Sequence, residues 1–155
     1  LDVASFVTGV FANNTALAAL MPLLMFIVAC FLGFSTGTSW GTMGIMIPIA
    51  VPMFYGDSSM LTISIAAIMA GAVCGDHISP ISDTTIMSSA GAQCNHINHV
   101  STQMQYAFVI IAVSAVTYLL AGFVHEWYIV LPIGLILTVV TLLAIRAVTA
   151  KKQNA

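Results

Sequence analysis

Residues 75–85 read GDHISPISDTT, and this run holds Asp76 and Asp83, two of the five acidic residues in a 155-residue chain. Charged residues make up only 5% of the sequence, so polarity is concentrated here against a greasy background. Pro80 stands four residues after Asp76. In a continuous helix it would leave the Asp76 carbonyl without its N–H partner, and it disfavours helical geometry at Ser79. An opened helix would gather freed carbonyls, two carboxylates and the hydroxyls of Ser79, Ser82, Thr84 and Thr85 in a small volume. Surroundings made only of oxygen suit a hard cation. Burial disfavours an ionised carboxylate whereas a bound cation favours it, so proton and cation compete for one site. Coupled to alternating access, that competition is antiport chemistry. It requires no nucleophile, redox centre or cofactor.

The same residues have plainer readings. Ser82 or Asp83 could cap a helix over residues 84–90, and Asp76 could lie near the surface or pair with His77. An ionisable side chain inside a membrane segment costs about 2.5–3.5 kcal/mol, however, and is a functional candidate for that reason. Asp83 is the leading carboxylate and Asp76 the second, with a hard cation expected at this pair.

A second polar run, STGTSWGT at residues 35–42, supplies Thr36, Thr38 and Ser39 as an opposing cavity wall, joined by Ser35 and Thr42. GTSWG also matches the G-x-S-x-G nucleophile pattern. The strand–turn–helix context of that pattern is absent, and no histidine is expected near Ser39. An intramembrane serine protease is therefore a distant alternative, and the chain is not expected to be an enzyme. Cys94-x-His96-x-x-His99 is a weak metal spacing, with a polar loop as the plain reading. His99, Thr102, Gln103 and Tyr106 recur on one helix face; His77, His99 and Gln103 are candidates for supporting the site.

Hydrophobic residues make up 60% of the chain and mean hydropathy is +1.07. The apolar runs 16–34, 107–123 and 127–148 approach the roughly 20 residues that span a bilayer. They are solid rather than alternating, so the expected class is an all-α integral membrane protein, not a barrel. Residues 1–12 read as the end of a preceding helix, 100–123 and 127–148 as transmembrane helices, and 149–155 as a cytoplasmic tail. Segments 16–55 and 61–92 are each interrupted by a polar run, with halves of about 9–15 residues that fall short of a span. Paired interruptions of this kind point to a transporter's binding site. Gly33, Gly37 and Gly41 precede one break, and Ala67, Gly71 and Gly75 the other. Each four-residue spacing makes a smooth face for close helix approach.

Cys30, Cys74 and Cys94 are an odd number, which favours free thiols. The chain has no basic patch, so nucleic acid is not expected as a partner. Arg146 at the end of the last apolar run, with Lys151 and Lys152 after it, places the C-terminus on the cytoplasmic side. His125 and Glu126 then form an external turn beside Trp127 and Tyr128, and residues 93–99 form a cytoplasmic loop.

The run GDHISPISDTTIMSSAGAQCNHINHVSTQMQYA, residues 75–107, closely resembles the signature region of the NhaC-type sodium/proton antiporter family, and FSTGTSWGTMGIMIPIAVP, residues 34–52, fits the same family. The family pattern often has a proline where this chain has Gln105. The resemblance implies an inverted-repeat ion transporter of the bacterial or archaeal cytoplasmic membrane, with this chain as its C-terminal repeat. Residues 16–55 would be a re-entrant hairpin, or else two full crossings; 61–92 would be a broken helix, followed by two further transmembrane helices. It implies sodium or lithium exchanged for protons, with sodium at Asp83 and Asp76, an upstream N-terminal repeat as structural partner, and the lipid bilayer as solvent. Oligomerisation is left open. Some relatives resemble sodium-coupled carriers of organic acids or amino acids, which is the main alternative function.

Overall fold

The computed structural model describes residues 15–153, and the helix end expected over residues 1–12 lies outside them. The described residues form six helices: α1 Thr15–Thr36, α2 Ser39–Met53, α3 Ser58–Ile78, α4 Asp83–Gly91, α5 His96–Val124 and α6 Trp127–Gln153. Four of them, α1, α3, α5 and α6, are long and apolar enough to cross a membrane. The chain is an all-α membrane protein by this measure.

The interrupted segments differ from the expectation in one respect. Their halves are unequal: α1 has 22 residues and α3 has 21, whereas α2 has 15 and α4 only 9. At about 1.5 Å per residue, α1 and α3 each reach roughly 30 Å, the thickness of the hydrocarbon core. α3 gains its extra length at both ends. Asp57 caps its start by accepting the Met60 N–H at 3.0 Å, and the helix continues through Gly75 and Asp76 to Ile78. α5 likewise begins at His96 rather than at residue 100, because the Asn95 side chain accepts the Asn98 N–H at 3.1 Å. The expected cytoplasmic loop is therefore mostly helix.

The glycines show how the long helices meet. A Cβ on Gly71 would meet the Phe26 carbonyl, and one on Gly75 the Cys30 carbonyl. A Cβ on Gly33 would lie 2.6 Å from the Ala72 carbonyl oxygen and 3.1 Å from the Asp76 amide nitrogen. Residue numbers on the two helices rise together along this seam, so α1 and α3 run parallel with their backbones in close contact. The small-residue faces read from the sequence are the surfaces that meet.

α2 folds back against this pair. Met21, Met25 and Ala29 of α1 share a buried cluster with Met46 and Ala50 of α2 and with Ile68 and Ala72 of α3. Met21 and Ala50 are too far apart in sequence to pack on one turn of α3 unless the chain reverses between them. α5 runs opposite to α3: the Ser59 hydroxyl donates to the His125 carbonyl at 2.8 Å, and the Tyr118 hydroxyl to the Ala66 carbonyl at 3.0 Å. Phe26 stacks on Tyr118 with ring centroids 5.3 Å apart, which ties α1 to the same pair. α6 is held against α5 and α3 through Val130, packed with Ile63 and Ala121, and through Gly134, where an added Cβ would lie 2.9 Å from Thr117 Cγ2; most of its other residues are exposed.

Candidate functional site

The parallel seam brings the two helix breaks to one level. α1 ends at Thr36, and Gly37 turns the chain at φ +65° into α2. A Cβ at Gly37 would lie 3.0 Å from both the carbonyl carbon and the oxygen of Ile81, which sits in the break between α3 and α4. The two polar runs singled out by the sequence are thus packed backbone to backbone.

On the first run, Thr38 caps α2, its hydroxyl accepting the Gly41 N–H at 3.3 Å. Thr42 is buried, donates to the Thr38 carbonyl at 2.9 Å and lies 3.4 Å from the Thr36 hydroxyl. Thr36 donates to the Leu32 carbonyl at 2.8 Å. These hydroxyls mainly satisfy their own backbone. Ser39 is half-buried, and among the described hydrogen bonds none joins it to a histidine.

On the second run, Pro80 opens the helix as expected, but the Asp76 carbonyl is not left free. It accepts the Ser79 N–H at 3.1 Å, because the last turn tightens before the proline. The His77 carbonyl is instead taken by the Thr85 hydroxyl at 3.2 Å, which stitches α4 to the end of α3. Ser79, Ser82 and Thr85 are buried, while Thr84 is exposed. Ser82 occupies the N-cap position without using its side chain there; its hydroxyl lies 2.8 Å from that of Thr84.

The two carboxylates have different environments. Asp83 is exposed at the first position of α4, and its Oδ1 accepts the Thr84 N–H at 2.7 Å. Asp76 is only 5% exposed, and its Oδ1 is buried without a hydrogen-bond partner. A buried acceptor left unpaired is costly, which makes Asp76 the exceptional carboxylate of the two. The Gln103 side-chain oxygen on α5 is buried and unpartnered in the same way. His77 is exposed and His99 half-buried, and neither reaches a carboxylate among the described hydrogen bonds. On the polar face of α5, Thr102 and Tyr106 are exposed, with Thr102 bonded to the Asn98 and His99 carbonyls.

One residue gains a role that sequence reasoning did not assign. His96 reaches the Pro80 carbonyl with Nε2 at 2.7 Å and the Ser89 hydroxyl with Nδ1 at 3.0 Å. Its only sequence signal was membership of the Cys94–His96–His99 run. Among the described residues, no group of three His, Cys, Asp or Glu side chains is placed to hold a metal; the three cysteines are free. Two apolar grooves of about 330 and 360 Å³ flank α5, and neither is lined by Asp76 or Asp83.

Residues 1–123 match the model of the Na+/H+ antiporter family. An uncharacterized protein of Haemophilus influenzae is 50% identical over 107 residues, covering 68% of this chain and 21% of that protein. An uncharacterized Na(+)/H(+) antiporter of the same organism is 30% identical over 115 residues, 72% of this chain and 25% of the relative. A malate-2H(+)/Na(+)-lactate antiporter of Bacillus subtilis is 28% identical over 99 residues, 64% of this chain and 21% of the relative. The chain thus spans a fifth to a quarter of the length of the curated relatives it matches, and no solved structure matches it. Paired helix breaks packed along a glycine seam, in a chain whose sequence fits the family model across both of them, make this protein a member of the Na+/H+ antiporter family.

Proposed function

We propose that this chain forms part of a secondary transporter that exchanges sodium or lithium for protons, with Asp76 as the group for which cation and proton compete. The observation that carries the reading is the buried, unpartnered Oδ1 of Asp76 on an apolar helix, at the level where two helix breaks meet. An ionised carboxylate there gains from a bound cation, and a proton on the same oxygen takes the place of that cation. Either ligand relieves the cost of the unpaired oxygen, and both cannot do so at once. Asp83, ranked first by sequence, is exposed and already accepts a backbone N–H, so it is better suited to guide cations into the site or to steady α4. Ser79, Ser82, Thr84 and Thr85 supply oxygen ligands or their supports, Thr36, Thr38 and Ser39 the facing wall, and Gln103 an acceptor from α5.

In this reading the protein lies in the cytoplasmic membrane with its C-terminus inside, which follows from Arg146, Lys151 and Lys152. The α5–α6 turn and the start of α3 then lie outside, since Ser59 is bonded to the His125 carbonyl. α1 and α2 form a hairpin entering and leaving from that outer face. An upstream repeat completes the site, and transport requires no enzymatic step.

A second reading has one specific observation in its favour, the likeness to a malate-2H(+)/Na(+)-lactate antiporter. On it, the same carboxylate binds sodium or protons while an organic acid occupies the other half of the site.

The test uses the full-length protein in everted vesicles with a respiration-generated pH gradient followed by a ΔpH dye. Sodium should collapse the gradient in wild type; Asp76→Asn should abolish the response, and Asp83→Asn should weaken it. Indifference of the wild type to sodium and lithium, with a response when lactate or malate is added, would move the second reading to the front. Full activity of Asp76→Asn would remove that carboxylate from the mechanism.

A further inference from the structure

The break between α3 and α4 is held by three side chains or backbones outside itself: Thr85 on the His77 carbonyl, Gly37 against Ile81, and His96 on the Pro80 carbonyl. Only the last can change with pH. A carbonyl can only accept, so at 2.7 Å the His96 Nε2 must carry the hydrogen. The Ser89 hydroxyl, 3.0 Å from Nδ1, has a single hydrogen and lies 2.9 Å from the Ile86 carbonyl. With a neutral imidazole, that hydrogen is demanded by both Nδ1 and the Ile86 carbonyl, and one contact goes unmade. With both ring nitrogens protonated, Nδ1–H donates to Ser89, Ser89 donates to Ile86, and every contact is made at once.

We propose that His96 is a positioning residue that clamps the helix break beside Asp76, and that protonation of its imidazole tightens the clamp. A charge-assisted hydrogen bond is roughly twice as strong as a neutral one, so the Pro80 carbonyl is held harder in the charged state. Histidine changes charge between about pH 5 and 8, where a cell's own pH moves. The ionisable groups on the neighbouring elements are Asp76 and His77 at the end of α3, Asp83 at the start of α4, Cys94 in the preceding turn and His99 one turn further along α5. None of them hydrogen bonds to the imidazole: Asp83 is bonded to the Thr84 N–H and Cys94 to the Ser89 carbonyl. The hydrogen bonds of the imidazole thus go to Ser89 and Pro80, and through Pro80 to the backbone between the two aspartates.

The transport consequence rests on the proposed exchange reading, whereas the clamp itself does not, and two measurements separate them. In the purified full-length protein, hydrogen exchange over residues 79–95 is compared at pH 8 and pH 6 after correction for the intrinsic rate. Wild type should become about tenfold better protected at the lower pH, the difference a charged hydrogen bond makes. His96→Gln keeps an N–H donor for the Pro80 carbonyl but cannot titrate, so its protection should be similar at both pH values. His96→Ala should be poorly protected at both. In vesicles, sodium-dependent exchange by His96→Gln should lose the part of its pH profile that falls between about pH 5 and 8. Protection of the wild type that does not change with pH, or a pH step retained by His96→Gln, would overturn the clamp. A protection step in a protein that does not exchange sodium would keep the clamp and reject the exchange reading.

Discussion

Replacing Gly37 by alanine tests whether contact between the two breaks constrains the protein. Gly37 sits at φ +65°, where the Cβ of an L-residue crowds the backbone at a cost of about 1–2 kcal/mol. The added methyl would also lie 2.9 Å from Ile81 Cγ1 and 3.0 Å from the Ile81 carbonyl carbon and oxygen. The side chain can rotate away, but the carbonyl cannot yield without reshaping residues 79–82. Overpacking of this kind adds about 1–3 kcal/mol, so the two terms together reach about 2–5 kcal/mol.

Gly44→Ala is the matched control. It lies inside α2 with nothing within 4 Å of an added Cβ, and it should stabilise the helix by up to about 1 kcal/mol. Both variants would be made in the full-length protein and compared by unfolding midpoint in detergent and by sodium-dependent ΔpH collapse at matched expression. Gly37→Ala should unfold earlier. If as little as about 1.4 kcal/mol of the cost falls on a transporting conformation, exchange should drop about tenfold. Equal behaviour of the two variants in both assays would refute the idea that the breaks constrain each other.

Thr85→Val keeps the side-chain shape but leaves the His77 carbonyl without its partner; stability should fall by about 1–3 kcal/mol, and Thr85→Ser should restore most of it, as read from unfolding midpoints. Cysteines at Ala29 and Met46, in a background where Cys30, Cys74 and Cys94 are replaced by serine, should be joined by a short bis-thiol reagent, because both positions lie in the cluster formed where α2 folds back on α1. Absence of a cross-link on peptide mass mapping would mean that α2 does not return along α1.

The helical class, the positions of both breaks and the glycine seam were legible in the sequence, because each rests on a local rule. Apolar run length reports a span, Pro80 interrupts a hydrogen-bond ladder, and small residues four apart share a helix face. Helix ends were less legible. Asp57 and Asn95 are caps whose value depends on a single side-chain bond, and they extend α3 and α5 into polar stretches that look like loop. Burial was not legible. Asp76 and Asp83 lie seven residues apart in equally polar surroundings, and only the approach of α1 through Gly33, whose added Cβ would sit 3.1 Å from the Asp76 amide, sets them apart. His96 was hidden for the same reason: its partners, Pro80 and Ser89, belong to elements whose mutual orientation no periodicity reports.

The seam also bears on how such a site would move. From Phe26 against Gly71 to Gly33 against Ala72 and Asp76, the backbones of α1 and α3 lie in close contact, and Gly37 continues the contact to Ile81 in the break beyond α3. Backbones in contact cannot slide past each other one residue at a time, since each step would place a Cβ where a carbonyl now lies. The two helices and both breaks must therefore shift together as one body. α5 meets that body through the Phe26–Tyr118 stack, the Gly122 approach to Ala19 and the Ser59–His125 and Tyr118–Ala66 hydrogen bonds towards one end, and through the side chain of His96 at the other. At the His96 end the side-chain hydrogen bonds to Pro80 and Ser89 act beside the packing of the buried Val100. A proton on the proposed His96 clamp would act on that body through the backbone at Pro80.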